Sequence, residues 1–143
     1  MEIRPFRPED EEAVIQLWND CGVVVPWNDP RKDIQRKLQV QPEMFLVGCI
    51  EGEVVAAVLA GYDGHRGWIY YLAVHPDHQH KGHAIRMMDE AEKLLRAAGC
   101  PKINLQVRKT NTGVIEFYKR IGYKEDECLG LGKRLESDEF REH

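Results

Sequence analysis

A chain of 143 residues, 43% hydrophobic and 31% charged, has the size and composition of one globular domain that needs neither metal nor disulfide staples. Its formal net charge of −4 argues against a general nucleic-acid binder, which would present a basic face. No apolar run approaches the roughly 18 residues of a membrane span, and Met1-Glu2-Ile3-Arg4-Pro5-Phe6 leads into charged sequence rather than a secretory signal, so a cytoplasmic protein without membrane contact is expected.

Residues 2–6 read as a first strand. Pro8-Glu9-Asp10-Glu11-Glu12 then opens a helix with acidic groups at its positive end, and Val14, Leu17, Trp18 and Cys21 share one face. Residues 26–30 are a turn-rich loop, and Asp29-Pro30 caps a second helix through Leu38. Strands at 44–50 and 54–62 flank Glu51-Gly52-Glu53, which has the length and the glycine of a hairpin turn. Residues 63–67 form a further turn. Ile69-Tyr70-Tyr71-Leu72-Ala73-Val74 has the β-branched and aromatic content of a buried strand. Ala84, Met87, Met88, Ala91, Leu94, Leu95 and Ala98 recur at three- and four-residue steps, one face of a long helix that Gly99-Cys100-Pro101 stops. A strand at 102–107 follows, then a helix from Asn111 carrying Val114, Phe117, Tyr118 and Ile121. Residues 122–124 and 128–135 close the chain as an antiparallel pair. The order predicts a single α/β domain over residues 1–143, of the α+β mixed-sheet kind. The cysteines Cys21, Cys49, Cys100 and Cys128 form no Cys-x-x-Cys pair and read as reduced thiols.

The junction between Val74 and Ala84 carries the chemistry. His75-Pro76-Asp77-His78-Gln79-His80-Lys81-Gly82-His83 has a glycine at Gly82 and no acidic residue after Asp77. A helix N-terminus has unpaired N–H groups and a partial positive charge, so a loop of this kind suits a phosphate. It lacks the three glycines of a dinucleotide fingerprint and the Gly-Lys-Ser/Thr of a P-loop. His75, His78, His80 and His83 come without the spacing of a zinc site, and no metal is expected. His80 and His83 stand instead where protonation would strengthen anion binding.

Gln79-His80-Lys81-Gly82-His83-Ala84 resembles the Gln/Arg-x-x-Gly-x-Gly/Ala signature with which GCN5-related N-acetyltransferases (GNAT) grip the pyrophosphate of acetyl-CoA. It departs from that pattern at His80, usually glycine, and at His83, usually apolar. Asn111 and Tyr118, followed by Gly122-Tyr123, resemble the family's Asn-x6-Tyr-x3-Gly-Phe/Tyr segment. The opening at residues 2–10 and the stretches 26–30, 61–67 and 131–135 are also similar to small bacterial members, so the resemblance covers nearly the whole chain.

The resemblance implies a GNAT fold: a mostly antiparallel sheet, splayed between its fourth and fifth strands and flanked by helices. It implies acetyl-CoA as co-substrate and direct transfer to a primary amine without an acyl-enzyme. Gln79, His80, Lys81, Gly82, His83 and Ala84 would hold the pyrophosphate, and the main chain of Leu72 and Val74 with the side chain of Asn111 would meet the pantetheine arm. Tyr118 would protonate the departing thiolate, which a phenol as a weak acid can do. Asn111 also suits a helix N-cap, and Tyr118 also lies on an apolar face.

The general base is less legible. Where the family often has a glutamate, this chain has Trp68, Tyr70 and Gln106; His65 and Asp63 stand nearby, and ordered water is the expected relay. Trp27, Asp29, Tyr62, Asp63, His65 and Tyr70 are the acceptor-side candidates, with Asn28 beside them. Peptide or protein N-termini, lysines and small amines all fit as acceptors, and monomer and homodimer both stand open. A non-catalytic acetyl-CoA sensor is the alternative, favoured by the missing carboxylate.

Overall fold

The computed structural model describes residues 1–139, which divide into two compact units: Met1–Asn104 together with residues 138–139, and Leu105–Ser137. The order of elements is β1 (Glu2–Pro5), α1 (Glu11–Asp20), α2 (Pro30–Lys37), β2 (Phe45–Ile50), β3 (Glu53–Tyr62), β4 (Gly67–Val74), α3 (His83–Ala97), β5 (Ile103–Leu105) and α4 (Thr112–Arg120). The sheet runs β1-β2-β3-β4-β5, antiparallel through β4, with β5 parallel to β4.

In the first unit the β2–β3 hairpin turns at Glu51 and Gly52, both at positive φ (50° and 80°), the handedness that matches strand twist. The two strands are buried along most of their length, and their side chains alternate between two layers. Phe45, Val47, Ala57 and Leu59 join Val14, Leu17 and Trp18 of α1, Ile34 of α2 and Phe6 in one apolar cluster. Phe6 stacks on Phe45 with centroids 4.3 Å apart. The opposite face receives α3, whose Met87, Met88, Ala91 and Leu95 are buried at the expected helical spacing. Close approach there depends on Gly67, where an added Cβ would lie 2.8 Å from Cys100 Sγ and 3.3 Å from Leu95 Cδ1. Asp29 caps α2 as the sequence predicts, accepting from the Arg31 and Lys32 N–H groups at 2.9 and 3.4 Å.

The second unit is built around α4. Asn111 is its N-cap, with Oδ1 accepting from Val114 N–H at 3.4 Å, and Gly122 ends it at φ 104°. Two expectations fail near and within this unit. β5 spans only Ile103–Leu105, not residues 102–107, and no strand forms at 122–124 or 128–135 among the described residues. Leu129, Leu131 and Leu135 alternate like a strand but are 83%, 90% and 91% exposed. Alternation specifies a strand only where one face has something to bury against, and Gly130 and Gly132 weaken it further.

Candidate active site

β4 changes register halfway along. Ala57 faces Ala73 but Leu59 faces Tyr70, so two steps on β3 match three on β4, and the extra residue is Tyr71 at φ 56°. The bulge inverts the alternation. Before it, Gly67 turns toward α3; after it, Ala73 joins the cluster under α1. Tyr71 stacks on Trp18 of α1 at 4.1 Å, and its hydroxyl donates to Asp33 Oδ2 of α2 at 2.6 Å. Burial, then the Asp33 contact, push the Tyr71 phenol well above its ordinary range, so it stays protonated.

Beyond the bulge, His75 N–H donates to Val55 C=O at 2.8 Å, toward β3. Alternation then turns the N–H and C=O groups of Val74 and Leu72 to the other edge. On that edge lies β5, which approaches the start of β4 where Gly67 N–H donates to Lys102 C=O at 2.8 Å, and it is three residues long against eight in β4. The end of β4 therefore runs past its neighbour. The Val74 carbonyl already accepts from Gln79 Nε2 at 3.0 Å and Cys21 Sγ at 3.2 Å. The Gln79 side chain thus ties the loop back to the strand.

The loop enters α3 through two left-handed residues, His80 at φ 63° and Gly82 at φ 80°. The first intrahelical bond runs from Arg86 N–H to Gly82 C=O at 3.2 Å, which leaves the N–H groups of His83, Ala84 and Ile85 without a helical acceptor. Gly82 offers no side-chain cap, and no acidic residue lies in the first turn. Lys81 is exposed beside it. A dipole end with unsatisfied donors and no internal anion is a site for a phosphate.

The histidines separate into different tasks. His75 Nδ1 accepts from Asp77 N–H at 3.1 Å while Nε2 lies 3.4 Å from Asp20 Oδ2. His78 and His83 tilt toward each other at 6.5 Å, each with a buried Nδ1 that no group among the described residues satisfies. Desolvation, then the Met1 amino group and Arg86, hold the His83 imidazole below its usual value. His83 is thus neutral at pH 7 in the free protein, and charge there depends on a proton taken up with an anion. Among the described residues no three His, Cys, Asp or Glu side chains converge as a metal site would require.

In the second unit Tyr118 is 8% exposed, edge-on to Phe117 at 5.2 Å and to Tyr123 at 5.5 Å, and burial pushes its phenol up to about 12. It is protonated at any physiological pH.

The acceptor-side candidates divide. Asp29 has its carboxylate on the α2 cap and its N–H on Asp138 Oδ2 at 3.1 Å. Tyr62 is clamped at its main chain by the Gln41 amide, at 3.0 and 2.8 Å. Asp63 accepts from His65 N–H and Arg66 N–H, both at 2.8 Å, and from Trp68 Nε1 at 3.3 Å. Those bonds hold its carboxyl below the usual range, which makes it a poor base. His65 is exposed on the turn. Tyr70, half exposed, stacks on Trp68 at 6.4 Å, and Trp27 is 45% exposed.

The Acetyltransferase (GNAT) family model matches residues 11–123. The chain belongs to the GNAT acetyltransferase family. An acetyltransferase of Pectobacterium atrosepticum is 52% identical over 138 residues, covering 96% of this chain and 98% of that protein. Ard1 from Thermoplasma volcanium superposes with a TM-score of 0.73 at 27% identity, over 85% of this chain and 80% of that one. AAC(6')-Iy, solved with the bisubstrate analogue CoA-S-monomethyl-acetylneamine, shares the fold with a TM-score of 0.76 at 15% identity, over 93% and 97%.

This acetyltransferase also carries features that sequence reasoning passed over: the bulge at Tyr71, its bond to Asp33, and the Cys21 thiol on the Val74 carbonyl. The one visible signal was Tyr70-Tyr71, two adjacent aromatics in a strand whose alternation should separate them. The bulge puts both on the side of α1 and α2.

Proposed function

We propose that this acyl-CoA-dependent acetyltransferase takes acetyl-CoA and moves the acetyl group directly to a primary amine, as a single domain over residues 1–143. The observation that carries the cofactor reading is the uncapped start of α3, with free N–H groups from His83 to Ile85, immediately after a strand end whose main-chain groups turn to an open edge. Main-chain N–H groups of residues 79–84 and the Lys81 ammonium would hold the pyrophosphate. Leu72 and Val74 would meet the pantetheine arm, and a strand-end N–H would polarise the thioester carbonyl. Asn111, whose Oδ1 caps α4, keeps its amide N–H₂ for the same arm. Transfer forms the amide C–N bond and breaks the C–S bond, and Tyr118 gives its proton to the leaving thiolate. That the family model runs from residue 11 to 123, across both units, supports treating them as one working domain.

The acceptor, a peptide or protein N-terminus, a lysine or a small amine, would approach the face of β4 that carries Trp68 and Tyr70, with Trp27, Tyr62 and His65 as further contacts. With Asp63 bound by three donors, water relays the amine proton. Calorimetric titration with acetyl-CoA, beside a Tyr118→Phe variant and a thiol-release assay over an amine panel, tests this. Equal binding by both proteins is expected, with kcat lower by about 100-fold in the variant. Absence of binding would remove the cofactor site, and equal turnover would remove Tyr118 as the acid.

A further inference from the structure

Tyr71 occupies a backbone region that bulky L-residues avoid. Left alone, it gains by relaxing to an extended conformation. That relaxation would erase the bulge and slip residues 72–74 by one position, exchanging the groups that face β3 with those that face the open edge. Two contacts oppose the slip: the stack on Trp18 and the hydroxyl bond to Asp33 at 2.6 Å. The stack is non-directional and slides. The hydrogen bond is the contact that sets how far the ring reaches, and hence where the backbone of residue 71 sits.

Asp33 is itself held. Arg36 donates to its other oxygen at 3.2 Å and to the Asp138 carboxylate at 2.6 and 3.1 Å. The Asp138 side chain has no exposed surface, and it also accepts the Asp29 N–H that precedes α2. A chain of contacts therefore runs from the C-terminal segment through α2 to the middle of β4, all within the first unit.

We propose that Asp33 is a positioning residue for acetyl transfer: through Tyr71 it holds the β4 bulge, and so keeps the Leu72 and Val74 N–H groups turned to the edge where the thioester lies. The inference rests on the proposed use of that edge by acetyl-CoA. Asp33 touches neither substrate; it acts through one hydroxyl. Its role predicts a specific pattern. Asp33→Asn keeps an oxygen acceptor for the Tyr71 hydroxyl, whereas Asp33→Ala and Tyr71→Phe do not, and Tyr71→Phe preserves the ring stack.

The test uses the full chain, with residue-resolved amide exchange first and turnover second. Amides of residues 70–74 should exchange about 10-fold faster in Tyr71→Phe and Asp33→Ala, near wild type in Asp33→Asn, with β1 and β2 unchanged in all three. In thiol release, kcat should fall about 10-fold in the first two and be restored in Asp33→Asn, with KM for acetyl-CoA within about twofold throughout. Unchanged exchange at 70–74 would overturn the clamp. Faster exchange with unaltered kcat, or faster exchange spread over the whole unit, would reduce the pair to ordinary stability and overturn the positioning role. Failure of the cofactor reading looks different: the wild-type Leu72 amide resonance would not move on adding acetyl-CoA, whatever the variants do, and the positioning role would fall with it.

Discussion

The start of α3 and the middle of β4 each carry a bulky residue in the left-handed region, His80 at φ 63° and Tyr71 at φ 56°. Their surroundings differ. His80 is exposed on a short loop, two residues before Gly82, and its conformation helps bring the chain into the helix. Tyr71 lies between Trp18 and Asp33, contributed by two helices far away in sequence. The same strain is set locally in one case and imposed by tertiary contacts in the other, so identical substitutions should act in opposite directions.

The largest effect should come from removing what imposes the bulge. Trp18 is fully buried, and Trp18→Ala should cost about 3–5 kcal/mol in urea unfolding. Tyr71→Gly should lose about 2–3 kcal/mol although glycine suits the backbone there, because ring stack and hydroxyl bond go together. Gly82→Ala keeps the loop's contacts but forces a Cβ into φ 80°, at about 1 kcal/mol, and should weaken acetyl-CoA binding by calorimetry. His80→Gly should do the reverse and raise stability by about 0.5 kcal/mol at most. If Tyr71→Gly and His80→Gly shift the unfolding midpoint in the same direction, the contrast between the two regions is wrong.

A smaller effect concerns protons. The folded His83 titrates below its unfolded value of 6.5, so the unfolded chain binds the proton first, and this contribution to stability is lost as pH falls through that value. A bound pyrophosphate favours the imidazolium. Titration with acetyl-CoA near pH 6 should therefore take up protons, seen as a dependence of the binding enthalpy on buffer ionisation, and His83→Ala should abolish it.

The local features of this chain are written in short stretches of sequence. Asp29 before Pro30 makes the α2 cap, and Glu51-Gly52 makes the hairpin. Gly82 after a loop without late acidic residues makes the open start of α3, because each depends on backbone conformation or dipole within a few residues. Residue-type patterns also carried the family, through Gln79–Ala84 and the Asn111 to Tyr123 segment. What tertiary structure decided is different in kind. Alternation alone could not show that β4 gains a residue at Tyr71, that β5 stops at Leu105, or that Leu129, Leu131 and Leu135 stay exposed. Register and burial depend on which partner lies across a strand, and Trp18 and Asp33 reach the middle of β4, with Asp138 linked to Asp33 through Arg36, only once the chain has folded.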